Sequence, residues 1–72
     1  MTFNIKSERV RLGLSQEDAA EKLGVHVNTL RMWERGDSVP NGMSLAKMIG
    51  LYGCSADYLL GITEERIAKE QS

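Results

Sequence analysis

Glycine stands at residues 13, 24, 36, 53 and 61, each time closing a run whose apolar residues recur at helical spacing. A glycine just past the last periodic residue is a common way for a helix to stop, so this punctuation predicts a succession of short helices. No segment alternates apolar and polar residues long enough to suggest a strand. The expected fold class is all-α, with five short helices and room for a sixth.

The residues between the stops refine the boundaries. Asn4 is a suitable N-cap for a first helix reaching about Leu12, with Ile5, Arg9 and Leu12 at helical spacing. Ser15 caps the second, with Asp18 where a capping-box acid belongs and Ala19, Ala20 and Leu23 as its apolar residues. The third starts near His26 or Val27 and stops at Gly36. In the turn "GDSVPNG", Pro40 and Gly42 block helix continuation. The fourth runs from about Met43 to Tyr52, with Leu45, Met48, Ile49 and Tyr52 at helical spacing. Gly50 inside it costs up to about 1 kcal/mol relative to Ala, which predicts a close helix approach there. Ser55 caps a fifth helix through Leu60. In the tail, Thr63 is placed to cap one more short helix, with Ile62 and Ile67 as a staple and Glu65 and Lys69 as an i,i+4 pair.

A chain of 72 residues fits one small domain, and 42% apolar residues are enough for a compact helical core. Apolar stretches fall far short of the ~20 residues needed to cross a bilayer. The start, "MTFNIKSERV", has no apolar leader region. The expected setting is cytoplasmic. One cysteine, Cys54, excludes an internal disulfide, and with one histidine, His26, it builds no metal site. Cys54 reads as a small buried apolar side chain and His26 as a turn residue. No nucleophile, base and orienting group occur together, so neither catalysis nor a cofactor is expected. The formal net charge is −1. Residues 1–36 carry six Lys and Arg against five Asp and Glu, a local balance of only +1.

The stretch "VHVNTLRMWERG", residues 25–36, is the most informative. On a wheel at ~100° per residue, with His26 at zero, Leu30 falls near ~40° and Trp33 near ~340°. Val27, Asn28, Arg31, Met32 and Arg35 occupy the opposite arc, from ~100° to ~240°. Leu30 and Trp33 are thus expected to point into the core. The other face mixes two cations, an amide and two apolar groups, an unusual set for plain solvent. It suits the floor of a DNA major groove. There Asn pairs bidentately with adenine, Arg with guanine, and apolar groups meet the thymine methyl. A helix of this length, roughly 12–15 Å, also fits a groove about 12 Å wide.

The longer stretch "LSQEDAAEKLGVHVNTLRMWERG" is two short helices joined by a tight turn at Gly24 and Val25. It resembles the lambda-repressor-like, Cro/XRE-type helix-turn-helix regulators. The resemblance rests on Leu14, Ser15, Gln16, Glu17, Ala20, Leu23, Gly24, Val25, Thr29, Leu30, Trp33, Glu34 and Gly36. "LAKMIGLYGCSADYLLG" resembles the last two helices of that family, so the likeness covers about residues 4–61. It implies a five-helix DNA-binding domain over 1–61, with the helix-turn-helix at the second and third helices, followed by a tail over 62–72. It further implies a phosphate contact from Gln16 and base contacts from Val27, Asn28 and Met32. Arg31 and Arg35 would meet bases or backbone, and Thr29 completes the contact set. Arg9 and Glu34 match residues that form a structural ion pair in several members. His26 stands where Ser or Thr is frequent, and Val27 and Met32 where long polar side chains are.

The function implied is a sequence-specific, double-stranded DNA-binding transcriptional regulator, a repressor by family analogy, working as a homodimer. Tyr58, Leu60, Ile62 and Ile67 are candidate dimer contacts. The alternative, from another class, is a protein-interaction module, antitoxin-like or antirepressor-like, that keeps the fold with weak or lost DNA binding. The near-neutral charge and the apolar Val27 and Met32 favour that alternative.

Overall fold

Three side-chain oxygens start three of the helices. Ser15 Oγ accepts from the Asp18 N–H at 3.0 Å, Asn41 Oδ1 from the Ser44 N–H at 2.8 Å, and Ser55 Oγ from the Tyr58 N–H at 3.2 Å. Each satisfies a backbone donor that the first turn of a helix leaves without a partner. The computed structural model describes residues 3–66. Its elements are α1 (Ile5–Arg11), α2 (Gln16–Leu23), α3 (Val27–Arg35), α4 (Gly42–Tyr52) and α5 (Ala56–Leu59), with no strand among the described residues.

The helix ends use a common device. At Gly24 (φ 70°) the Gly24 N–H donates to Glu21 O and the Val25 N–H to Ala20 O, at 3.1 and 3.0 Å. At Gly36 (φ 81°) the Gly36 N–H reaches Trp33 O at 3.1 Å and the Asp37 N–H reaches Met32 O at 2.9 Å. These paired bonds need a left-handed residue, which glycine adopts without a Cβ penalty.

One core lies where the helices meet: Ile5, Ala19, Ala20, Leu23, Leu30, Trp33, Met48, Tyr52, Cys54 and Leu59. Burying a side chain as fully as Leu30 contributes about 1.5–3 kcal/mol. Burial pushes the Tyr52 phenol up to about 12, with Glu34 adding to the effect.

Several local expectations are corrected. Asn4 precedes α1 but makes no side-chain cap. Its Nδ2 donates to Tyr58 O at 2.7 Å and its N–H to Leu59 O at 2.9 Å, tying the chain start to α5. Leu12 follows α1 as its C-cap and is exposed. Gly42 does not block α4; it is its first residue, because the Asn41 cap places the start there. A Cβ at Gly50 would meet nothing within 4 Å, so no neighbouring helix approaches closely. Ile49 lies on the exposed side of α4. Residues 62–66 form no helix: Thr63 Oγ1 accepts the Glu65 N–H at 3.2 Å within a local turn. Ile67 and Lys69 lie outside the described residues.

Residues 62–66 are held to the body by two backbone bonds, Ile62 N–H to Asp57 O and Ser55 N–H to Arg66 O, both at 2.8 Å, and by an ion cluster without a sequence signature. Glu8, 2% exposed, accepts from Arg66 Nη2 at 2.7 Å, from Arg66 Nε at 3.0 Å and from Arg11 Nε at 3.1 Å. Both arginines also donate to Tyr52 O, at 2.8 and 2.9 Å. Among the described residues, no helix is long and apolar enough to cross a membrane.

Candidate functional site

The first turn of α3 fixes the site. His26 caps it, its Nδ1 accepting from the Asn28 N–H at 3.1 Å. An imidazole nitrogen thus serves where a hydroxyl oxygen more often does. Leu30 and Trp33 point into the core, 0% and 5% exposed. Asn28, Met32 and Arg35 face outward, Met32 at 40% exposure, and Arg31 lies half-buried beside them.

Two residues of the candidate set are less open than the wheel predicts. Val27 is half-buried against the core, since it stands only ~60° from Leu30 and in the turn nearest α2. Thr29 is half-buried too. The open face is therefore Asn28, Arg31, Met32 and Arg35, more polar than the wheel drew it.

Behind this face, α1 and α3 are clamped. Arg9 Nε donates to Glu34 Oε2 at 2.7 Å and Arg9 Nη2 to Glu34 Oε1 at 3.2 Å, a two-pronged pair. Arg9 Nη1 donates to Leu14 O at 2.8 Å, so the same guanidinium also holds the turn between α1 and α2. The two side chains are 11% and 3% exposed. A carboxylate this buried needs its cation and further donors as partners.

One of those donors is Gln16, the first residue of α2. Its Nε2 donates to Glu34 Oε1 at 3.1 Å, while its Oε1 accepts from Arg31 Nε at 3.0 Å. Arg31 Nη1 then donates to Asn28 Oδ1 at 3.1 Å, and Nη2 lies 3.5 Å from Glu17 Oε1. Gln16 is thus enclosed between an acid and a cation. Arg35 pairs with Asp37 at 3.0 Å, and both are exposed.

Lys6, Gln16, Arg31, Glu34 and Arg35 line a cleft of about 240 Å³. Three of the five are cations and one is an acid; Glu34 is met by Arg9, Arg31 by Glu17 and Arg35 by Asp37, so most of the charge at the cleft is paired. The sequence reading missed Lys6. It sits one turn before Arg9 on α1, and only the packing of α1 on α3 brings it to the site. Among the described residues no cluster of His, Cys, Asp and Glu could hold a metal ion.

This arrangement can offer hydrogen bonds and positive charge to an extended anionic partner. The pattern of the helix-turn-helix family matches residues 5–59 of the chain. Over 60 residues, 83% of this chain, it is 42% identical to the HTH-type transcriptional regulator ImmR of Bacillus subtilis (strain 168), covering 47% of that protein. Over the same length it is 34% identical to repressor protein C2 of Salmonella phage P22, covering 28% of it. The chain therefore spans less than half the length of each of these relatives.

Proposed function

The chain belongs to the helix-turn-helix family, and we propose that it is a sequence-specific, double-stranded DNA-binding transcriptional regulator that represses by laying α3 in the major groove. The observation that carries this reading is the face of α3. Asn28, Met32 and Arg35 are exposed and Arg31 borders them, while Leu30 and Trp33 hold the opposite face in the core. At nine residues α3 is about 13 Å long, matching a groove about 12 Å wide. The names of the two relatives, a transcriptional regulator and a repressor, point the same way.

In this reading Asn28 meets adenine, Met32 and the edge of Val27 meet a thymine methyl, and Thr29 supports the contact turn. Arg31 and Arg35 meet phosphates or guanine, and Gln16 turns its remaining amide hydrogen to a phosphate at the start of α2. One short helix reads few base pairs, so the protein acts as a homodimer on half-sites about one helical turn apart. Ile62 is 61% exposed and is the leading dimer contact; Tyr58 and Leu60 are half-buried, and Ile67 lies outside the described residues.

A second reading, a protein-interaction module with weak DNA binding, draws on the net charge of −1 and the exposed Met32. Selection from a random duplex library separates the two. An enriched palindrome supports the regulator. No enrichment at low salt, with one stoichiometric protein partner in a pull-down, supports the module.

A further inference from the structure

An unbroken line of hydrogen bonds runs from α1 to the open start of α3. Arg9 donates to Glu34, Gln16 donates to the same carboxylate, and Arg31 donates to both Gln16 and Asn28. Each link dictates the orientation of the next. A carboxylate only accepts and a guanidinium only donates, so the Gln16 amide lies one way, nitrogen on Glu34 and oxygen on Arg31. The same rule holds at Asn28. Its Oδ1 takes the Arg31 Nη1 hydrogen at 3.1 Å, which turns Nδ2 away from the guanidinium. The guanidinium itself is a rigid plane, held through Nε by Gln16 and through Nη1 by Asn28.

Resting on the DNA-binding reading, we infer that Arg31 is a positioning residue: it orients the Asn28 amide so that its N–H donor faces the base edge, selecting purine N7 at that position. The second lone pair of Oδ1 remains free to accept from an adenine amino group, so adenine is the preferred purine. Lysine cannot replace this function. An ammonium is a point charge on a flexible stem and cannot hold two amides in one plane.

The test compares the wild-type chain with Arg31→Lys and Arg31→Met, each first checked for an unchanged fold by circular dichroism. Duplex selection is expected to show a purine preference of about tenfold or more at one position of each half-site. Arg31→Lys, which keeps the charge, is expected to reduce that preference to about threefold or less. Adding Asn28→Ala to Arg31→Lys should then change it little. An undiminished preference in Arg31→Lys overturns the inference and leaves Arg31 as a charge for the backbone. The side-chain amide resonances of Asn28 in the DNA-free protein supply a readout that needs no DNA. They should shift in both variants, and unchanged resonances overturn the inference even if the chain binds DNA. A wild-type chain that enriches no site overturns the DNA-binding reading, and the purine assignment with it.

Discussion

Glu8 and Arg9 are sequence neighbours on α1, yet they tie it to two distant parts of the chain. Glu8 accepts from Arg66, in the segment after α5, at 2.7 Å, and Arg9 donates to Glu34, in α3, at 2.7 Å. Residues adjacent in a helix point ~100° apart, so one turn serves two partners without competition. α1 thereby joins the last described residues to the helix that carries the candidate contacts.

Removing Arg9 leaves the Glu34 carboxylate buried with Gln16 as its one remaining side-chain donor among the described residues. Arg9→Met is expected to cost about 3–5 kcal/mol, most of what a domain of this size has. Arg9→Met with Glu34→Leu should recover a large part of the loss, because the unpaired charge is gone. Urea unfolding of the two single variants and the pair measures the coupling. A double variant as unstable as the sum of the singles would show the pair to be unimportant.

Asn28→Ala is expected to cost about 1–3 kcal/mol of binding free energy at the preferred duplex. The loss on unrelated duplexes should be near zero. Titration of both duplexes at one salt concentration decides it, and an equal loss on the two would place Asn28 on the backbone.

Few phosphates are neutralised by a surface of near-zero net charge, so affinity should fall gently with salt. The log–log slope should be well short of about −10. Binding isotherms across a salt series give it directly.

Acid should weaken the fold through Glu8. The Arg66 guanidinium hydrogen-bonded to it holds its carboxyl below the ordinary value of 4.5, against the opposing pull of burial, and Arg11 adds to the lowering. A carboxyl with a lower value folded than unfolded stabilises fully above the unfolded value and loses that contribution as pH falls through the folded one. Stability measured from neutral pH downward should therefore decline below about pH 4.5, and Glu8→Gln should flatten that decline. An acid limb of equal steepness in Glu8→Gln would show that other carboxyls dominate.

Gly50→Ala should stabilise by about 0.5–1 kcal/mol. The residue is helical and exposed, and an added Cβ meets nothing within 4 Å. Thermal melting reads the gain; a loss would mean that another chain packs against this face.

Local chemistry was the legible part of the fold. The Ser15 and Ser55 caps, the glycine stops and the inward pair Leu30 and Trp33 follow from bonds or periodicities within one turn or one helix. Most of the misreadings are tertiary. Asn4 has the identity of a cap, but its side chain donates to Tyr58, 54 residues away. The start of α4 is a local miss: Gly42 reads as a helix blocker, whereas the Asn41 cap on the Ser44 N–H makes it the first residue. Val27 fell on the boundary of the wheel, where the position of α2 decides burial. Pairing of Glu8 with Arg66 spans 58 residues and has no periodicity to announce it. At the candidate site, spacing marks Asn28 and Arg31 as one turn apart; the bond of Arg31 to Gln16 depends on how α2 crosses α3.

Gln16, the first residue of α2, is bonded to two residues of α3, Glu34 and Arg31, which leaves the pair little freedom to hinge. Such a cross-braced pair behaves as a stiff bracket, and tilting one arm would mean breaking both of the Gln16 bonds. A new target for this surface is then reached by exchanging side chains along the outer edge of α3, with the angle at which that edge is held left as it is.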